Sequence, residues 1–216
     1  MNAIPTLRDG AVTIRPIRVR DSRALERSLL ANRTWLRKWE ATSPQGGVSF
    51  DSRASIRALL ANARADSGLP FAIDYEGEFV GQLNVSGIAY GSLSSATIGY
   101  WVAERVAGHG VTPTAVALAT DHCFFGMGLH RMEICIRPEN AASLRVVEKL
   151  GFRYEGLRRR YIHIDGEWRD HFCFALTVEE LPRGVLRRWR DGKVPAAAAV
   201  IPEQDRIAAL KPLRLG

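Results

Sequence analysis

The sequence predicts an α/β (α+β) fold, a mixed sheet with helices on its faces, and three observations carry that prediction. Segments of alternating apolar and polar residues recur, segments with apolar residues at helical spacing lie between them, and turn residues mark the junctions. Val12–Ile17 alternates and reads as the first strand. Asp21 stands where it can cap a helix that carries Leu25 and Leu29 on one face and ends near Ala31. Residues 32–47, with Trp35 and Trp39 ahead of turn residues, read as an ordered loop. From about Asp51 to Asp66, the i, i+3, i+4, i+7 spacing of Ile56, Leu59, Leu60 and Ala63 predicts a second helix.

Strands follow. Phe71, Ile73 and Tyr75 alternate, Glu76-Gly77-Glu78 turns the chain, and residues 79–88 return as a hairpin partner. Residues 95–102, "SATIGYWV", alternate again with Ala96, Ile98, Tyr100 and Val102 on one face. A helix is expected from about Pro113 to Phe125. In "RMEICIR", residues 131–137, Met132, Ile134 and Ile136 share one strand face, and Glu133 and Cys135 the other. Residues 140–151 read as a helix with Gly151 at a left-handed cap. Residues 160–177 read as two strands about Asp165-Gly166, a strong hairpin signal. The order is β-α-α-β-β-β-α-β-α-β-β over about Val12 to Leu181, and residues 1–181 are assigned to this one domain. Residues 182–216 form an extension, Arg-rich and then Ala/Pro-rich, to be read as a short packed helix or as loose chain.

At 216 residues the chain has room for one sizeable core, and 46% hydrophobic with 25% charged residues is a globular balance. The three cysteines, Cys123, Cys135 and Cys173, show no metal-ligand or disulfide-framework spacing, so no metal is expected and a reducing cytoplasm fits best. No secretory signal and no apolar run near the ~20 residues of a membrane span is visible, so no membrane partner is expected. The net charge of +7 suits an anionic partner, whether a phosphorylated cofactor, RNA or a ribosome-like surface; a solvated basic surface explains it equally well. The oligomeric state, monomer or homodimer, is left open.

The turn "RVAGHGV", Arg105 to Val111, joins a strand to a helix. Its spacing matches neither a nucleoside triphosphatase loop nor a dinucleotide fingerprint. It does bring successive backbone amides to a helix N-terminus, with Thr112 as the expected N-cap and Pro113 as a tolerated first-turn residue. Such a terminus suits a pyrophosphate, and a plain structural turn is the alternative.

With "RPENAASLRVVEKLGF" downstream, this R-x-x-G-x-G turn resembles the GCN5-related N-acetyltransferase (GNAT) family, over Val12 to about Leu181. The resemblance implies the GNAT fold, with a mostly antiparallel central sheet, and acetyl-CoA as cofactor. It assigns Val102, Arg105, Val106, Ala107, Gly108, His109, Gly110, Val111 and Thr112 to the pyrophosphate loop and strand end. It places Asn140 and Ser143 near the pantetheine arm and sulfur. Within the family, "NRTWLRKWE", "IGYWV" and "YIHIDGEWRDH" look like the RimJ/RimL branch, with Lys38 where proline is common. That branch implies acetylation of a protein N-terminus, a ribosomal protein being the expected acceptor. A small amine, a lysine side chain, or a non-enzymatic ribosome or RNA role are the alternatives.

The chemistry needs a neutral amine, a stabilised oxyanion and a leaving thiolate. A backbone N–H near Val102 can serve the oxyanion, and Ser143 can donate to the sulfur or merely support its helix. The amine's base is not evident, because Ile162 stands where the branch keeps a glutamate. Glu133 and Tyr161 are candidates for base and acid, beside Asp170, His163 and His171, each of which also has a purely structural reading. Arg105 can reach a phosphate oxygen or cap carbonyls, and His109 is expected to offer its backbone amide. Trp35 and Trp39 wall the acceptor site or anchor the core.

Overall fold

A computed structural model of the chain describes residues 4–46 and 50–211. The turn residues expected at 47–49 lie outside them. Eight strands form one sheet among these residues: β1 (Leu7–Asp9), β2 (Val12–Pro16), β3 (Gly68–Tyr75), β4 (Glu78–Ala89), β5 (Ser95–Val102), β6 (Arg131–Ile136), β7 (Arg153–Ile164) and β8 (Glu167–Thr177). Their order is β1-β2-β3-β4-β5-β6-β8-β7, antiparallel throughout except for the parallel pair β5–β6. The strand faces follow the period-2 pattern, so Ile14, Phe71, Leu83, Ile98, Met132 and Phe174 are buried in one apolar cluster.

Helices α1 (Ser22–Ala31) and α3 (Ser52–Arg64) cover one face of the sheet, where Ile17, Leu25, Ile56 and Ala72 form a smaller core. A short α2 (Arg33–Leu36) follows α1 directly, because residues 32–36 continue the helical path rather than looping. Asp51 caps α3 by accepting the Arg53 and Ala54 amides. Asp21 does not cap α1 with its side chain; its carboxylate instead binds Arg15 and the Arg18 amide, which outcompete the helix amides.

On the other face, α4 (Val111–Asp121) runs into a π-helical turn over His122–Gly126 and is buried on nearly every side. Helix α5 (Ala141–Leu150) is capped by the Asn140 side chain and closed, as its sequence predicts, by Gly151 at φ 69°. Asp165 and Gly166, both at positive φ, make the β7–β8 turn. Strand β7 starts seven residues before the expected Arg160, since bulges near Gly156 and between Arg158 and Ile162 break its alternation.

Residues 182–211 of the extension pack on the rest. Helices α6 (Val185–Arg190) and α7 (Glu203–Leu210) follow β8, and Val185, Ala199 and Ile201 are buried in the main core. The Asp121 carboxylate accepts the Val185 and Leu186 amides, which fixes α6 on the end of α4. Tyr154 donates to Asp205, so α7 is held against β7. No helix among the described residues is long and apolar enough to cross a membrane.

Candidate active site

The parallel pair opens the sheet. Strands β5 and β6 pair with each other only over Ser95–Thr97 and Arg131–Glu133, then part as β5 stays on β4 to Val102 and β6 on β8 to Ile136. Two clefts meet at this parting. The larger, about 390 Å³, lies between the ends of β5, α4 and α5; the smaller, about 190 Å³, lies between β5, β6 and the β7–β8 hairpin. Trp39, Tyr100, Asn140 and Ser143 line both, so each cleft opens on the other at these four side chains.

The glycine turn forms one wall of the larger cleft. Val102, Val106, Ala107 and Gly108 line it, followed by Gly110, Val111 and Thr112. Helix α4 starts at Val111 with Gly110 as its N-cap at φ 77°. The expected cap, Thr112, is therefore one residue inside the helix, because only glycine takes that left-handed conformation without strain. Of the amides from Val106 to Thr112, three are bonded within the loop: Val106 to Ala103, Ala107 to Glu104 and His109 to Val106. The amides of Gly108, Gly110, Val111 and Thr112 have no protein acceptor among the described residues. Four donors at the positive end of a buried helix make a site for an anion.

Arg105 and His109 do not line either cleft. The Arg105 guanidinium pairs with Glu78 at the surface, and His109 turns its ring to the Ala107 carbonyl. Two cations the sequence reading passed over lie on the cleft instead: Arg145 and Lys149, one turn apart on the exposed face of α5. Neither has an ion-pair partner among the described residues. Their i, i+4 spacing after the N-x-x-S segment was the available signal.

At the junction, Asn140 accepts the Ser143 amide at 3.1 Å, leaving the Ser143 hydroxyl at the neck. The Tyr100 hydroxyl is buried beside the Ser143 hydroxyl, outside strict hydrogen-bond geometry with it, and Tyr100 lines both clefts. Burial raises its pKa, partly opposed by the neighbouring Ser143 hydroxyl, so it stands as a protonated donor. Trp35 donates its indole N–H to the Val102 carbonyl at 3.2 Å, which pins α2 on the end of β5. Both tryptophans thus wall the clefts. Arg137 stacks on Trp39 and donates to the Lys38 carbonyl, holding the chain beside it.

Glu133 and Tyr161 are not brought to the junction. Glu133 bonds Arg131 at 2.8 Å and Arg158 at 3.1 Å, outside both clefts. Tyr161 is exposed, with its hydroxyl on Arg158 and its ring edge on His171. Asp170 binds the Arg160 amide and Arg159, and His163 binds Thr42. His171 is buried and lines the smaller cleft. Cys135 also lines it, opposite Cys173 on the neighbouring strand with sulfurs 3.0 Å apart; the Cys173 thiol and Arg158 lower the Cys135 pKa against the effect of burial. The basic runs are largely used internally, Arg188 on the Leu150 carbonyl, Arg190 on Asp9 and Arg187 on Asp191.

Comparison with known proteins places these features in context. A family model described as an acetyltransferase (GNAT) domain matches residues 11–153. The probable N-acetyltransferase YjcK of Bacillus subtilis (strain 168) is 38% identical over 97 residues, 45% of this chain and 54% of that protein. The ribosomal protein uS5-alanine N-acetyltransferase of Escherichia coli (strain K12) is 28% identical over 177 residues, 80% of this chain and 91% of that protein. A solved structure of Mycobacterium smegmatis RimJ in complex with CoA-disulfide superposes with a TM-score of 0.78 at 41% identity, covering 84% of this chain and 89% of that one. The chain thus spans about half of the first relative and about nine-tenths of the other two.

Proposed function

Since the chain belongs to the GNAT acetyltransferase family, in its RimJ/RimL-like branch, we propose that it transfers acetyl from acetyl-CoA to the N-terminal α-amine of a protein, a ribosomal protein being the expected acceptor. The observation that carries this reading is the pair of clefts joined at the β5–β6 parting, one walled by unpaired amides and the other free of carboxylates. A thioester entering from the first and an amine from the second meet beside Tyr100 and Ser143.

The residues present fit acetyl-CoA. The amides of Gly108, Gly110, Val111 and Thr112 face the position suited to its diphosphate, and Arg145 and Lys149 add the charge a phosphate-rich ligand needs. Acetyl-CoA supplies an acyl group on a thiol that leaves readily, with a pKa near ~8.5. Ser143 and Asn140 line both clefts, and this reading assigns them to the sulfur end. The Tyr100 hydroxyl, engaged only loosely by Ser143, is the donor this reading assigns to an oxygen or sulfur that accumulates charge. The branch likeness is supported by the uS5-alanine acetyltransferase and by RimJ, each matching more than three-quarters of this chain.

The acceptor cleft favours an α-amine over a lysine. Neutralising an α-amine of pKa ~7.8 at pH 7 costs about 1 kcal/mol, against nearly ~5 kcal/mol for lysine at ~10.4. No carboxylate lines the smaller cleft to offset the larger cost or to bind a polyamine. Ile98, Ile134, Ile136, Ile162 and Ile164 instead give it an apolar lining. The transferase unit is assigned to residues 1–181 and 182–216 to an extension, in which Val185 and Ile201 are buried in the main core. Incubation with acetyl-CoA and peptides bearing free Ala, Ser or Met termini, an N-blocked lysine peptide and spermidine, read by mass spectrometry, tests the reading. Acetylation confined to the α-amines is the expected result; transfer only to lysine or spermidine contradicts it.

A further inference from the structure

We infer that His171 is the catalytic base of the transfer, taking the proton that the acceptor amine loses as the new bond forms. The inference rests on the smaller cleft being the amine site. His171 is 3% exposed on β8, on the face it shares with Cys173 and Cys135, and it is among the residues that line that cleft. Its Nδ1 lies 3.0 Å from the Arg169 carbonyl oxygen. A carbonyl only accepts, so Nδ1 carries the hydrogen and Nε2 of the neutral ring holds a lone pair. No protein group among the described residues bonds Nε2. The Tyr161 ring packs edge-on against the imidazole at 5.7 Å between centroids and fixes its plane.

The other groups in reach are excluded by their contacts. The smaller cleft has no aspartate or glutamate in its lining. Arg137, its one guanidinium, is bound to the Lys38 carbonyl and Glu139. The Cys135 sulfur is taken up by Cys173 and Arg158. Glu133 is bound by two arginines. His171 therefore offers the one uncommitted proton-accepting side chain on this wall. Burial and then nearby Arg137 lower its pKa, with the Arg169 carbonyl, Glu139 and Asp170 acting in the opposite direction, so the ring is neutral near pH 7. Cys135, Arg158 and Tyr161 complete the polar surroundings on the same face.

The step balances simply. The amine nitrogen forms a bond to the acetyl carbon, and the carbon–sulfur bond breaks with its electron pair on sulfur. The N–H proton passes to His171 Nε2, directly or through one water, and then to solvent. The thiolate takes a proton from solvent, giving amide and thiol.

The test combines two variants with the wild-type protein and acetyl-CoA. His171→Asn keeps a donor for the Arg169 carbonyl but has nothing at the Nε2 position; kcat for an Ala-terminal peptide is expected to fall about 10²-fold or more. The thermal shift on adding acetyl-CoA is expected to stay that of the wild type. His171→Ala is expected to recover rate when imidazole is added, increasingly as pH rises and the free base forms. Nitrogen NMR of the wild-type ring is expected to show the Nδ1–H tautomer, and this arm needs no variant. A His171→Asn enzyme with wild-type kcat, a loss that imidazole does not restore, or an Nε2–H tautomer overturns the inference. A wild-type protein that neither binds acetyl-CoA nor transfers acetyl removes the reading beneath it and the inference together.

Discussion

Replacing Tyr100 with phenylalanine removes one oxygen from the neck between the clefts and leaves the ring in place. That oxygen is buried and meets Ser143 only outside good hydrogen-bond geometry, and an unsatisfied buried donor costs a fold up to about 1–3 kcal/mol. Tyr100→Phe is therefore expected to be more stable than the wild type without ligand. For a chain of this size about 1 kcal/mol moves Tm by about 2–4 °C, so a rise of about 2 °C or more is expected. With acetyl-CoA bound the order reverses in function. The hydroxyl then has a partner, and losing a net ~0.5–1.5 kcal/mol should weaken ligand binding or transfer about 2- to 12-fold. Calorimetry with and without saturating acetyl-CoA, beside a thiol-release assay, measures both halves. A variant less stable than the wild type in the absence of ligand would show that the hydroxyl is already bonded, to Ser143, and would refute the reasoning.

Three further outcomes follow from the packing and the charges. A Cβ on Gly81 would lie 2.2 Å from the Trp101 carbonyl oxygen, so Gly81→Ala should force β4 from β5 and cost about 1–3 kcal/mol or more in urea unfolding. Truncation after Leu181 exposes the surfaces that Val185 and Ile201 cover; at about 1.5–3 kcal/mol each, about 3–6 kcal/mol should be lost, visible as a lower Tm or aggregation. Burial holds the folded pKa of His171 below its unfolded value of ~6.5, so the unfolded chain binds the proton first as pH falls. Its contribution to stability is full above ~6.5 and is lost as pH falls from there towards the folded pKa; His171→Asn should flatten that part of the profile, and His122, shifted the same way, should supply the slope that remains.

Much of this fold is legible because strong local signals agree with tertiary burial. Ser95–Val102 alternates, is half-buried and forms a strand with the expected bounds. Asp165-Gly166 and Gly151 occupy the left-handed conformations their positions require. Asn140 caps the helix that its N-x-x-S segment starts. The first half of β7 was hidden because Gly156 and the Arg158–Ile162 irregularity interrupt the period that identifies a strand. Three-residue β1 is too short for any period, and α6 and α7 are stabilised by distant partners, Asp121 and Tyr154, that local sequence cannot announce.

The candidate cleft was legible in its glycine turn and in Asn140 and Ser143, which line it as their spacing within short segments suggests. It was not legible at Tyr100, Trp35 and Trp39, since an aromatic side chain beside a strand packs into a core or lines a cleft with the same sequence signature. His171 was only one candidate among several in sequence, because the carbonyl that sets its tautomer is fixed by a strand register, not by a motif. Arg105 and His109 show the converse limit: a motif position names the backbone, while the side chain follows whatever partner lies outside, here Glu78 and the Ala107 carbonyl.

The account depends on the turn before α4 receiving a diphosphate on its unpaired amides. Backbone amide resonances of the nitrogen-labelled protein, followed as acetyl-CoA is added, test this most directly. The account predicts that Gly108, Gly110, Val111 and Thr112 shift strongly and exchange more slowly with solvent once the ligand is bound, with smaller changes at the internally bonded Val106 and Ala107. Unchanged shifts and exchange at those four amides, with the ligand's effects gathered elsewhere on the molecule, would contradict it.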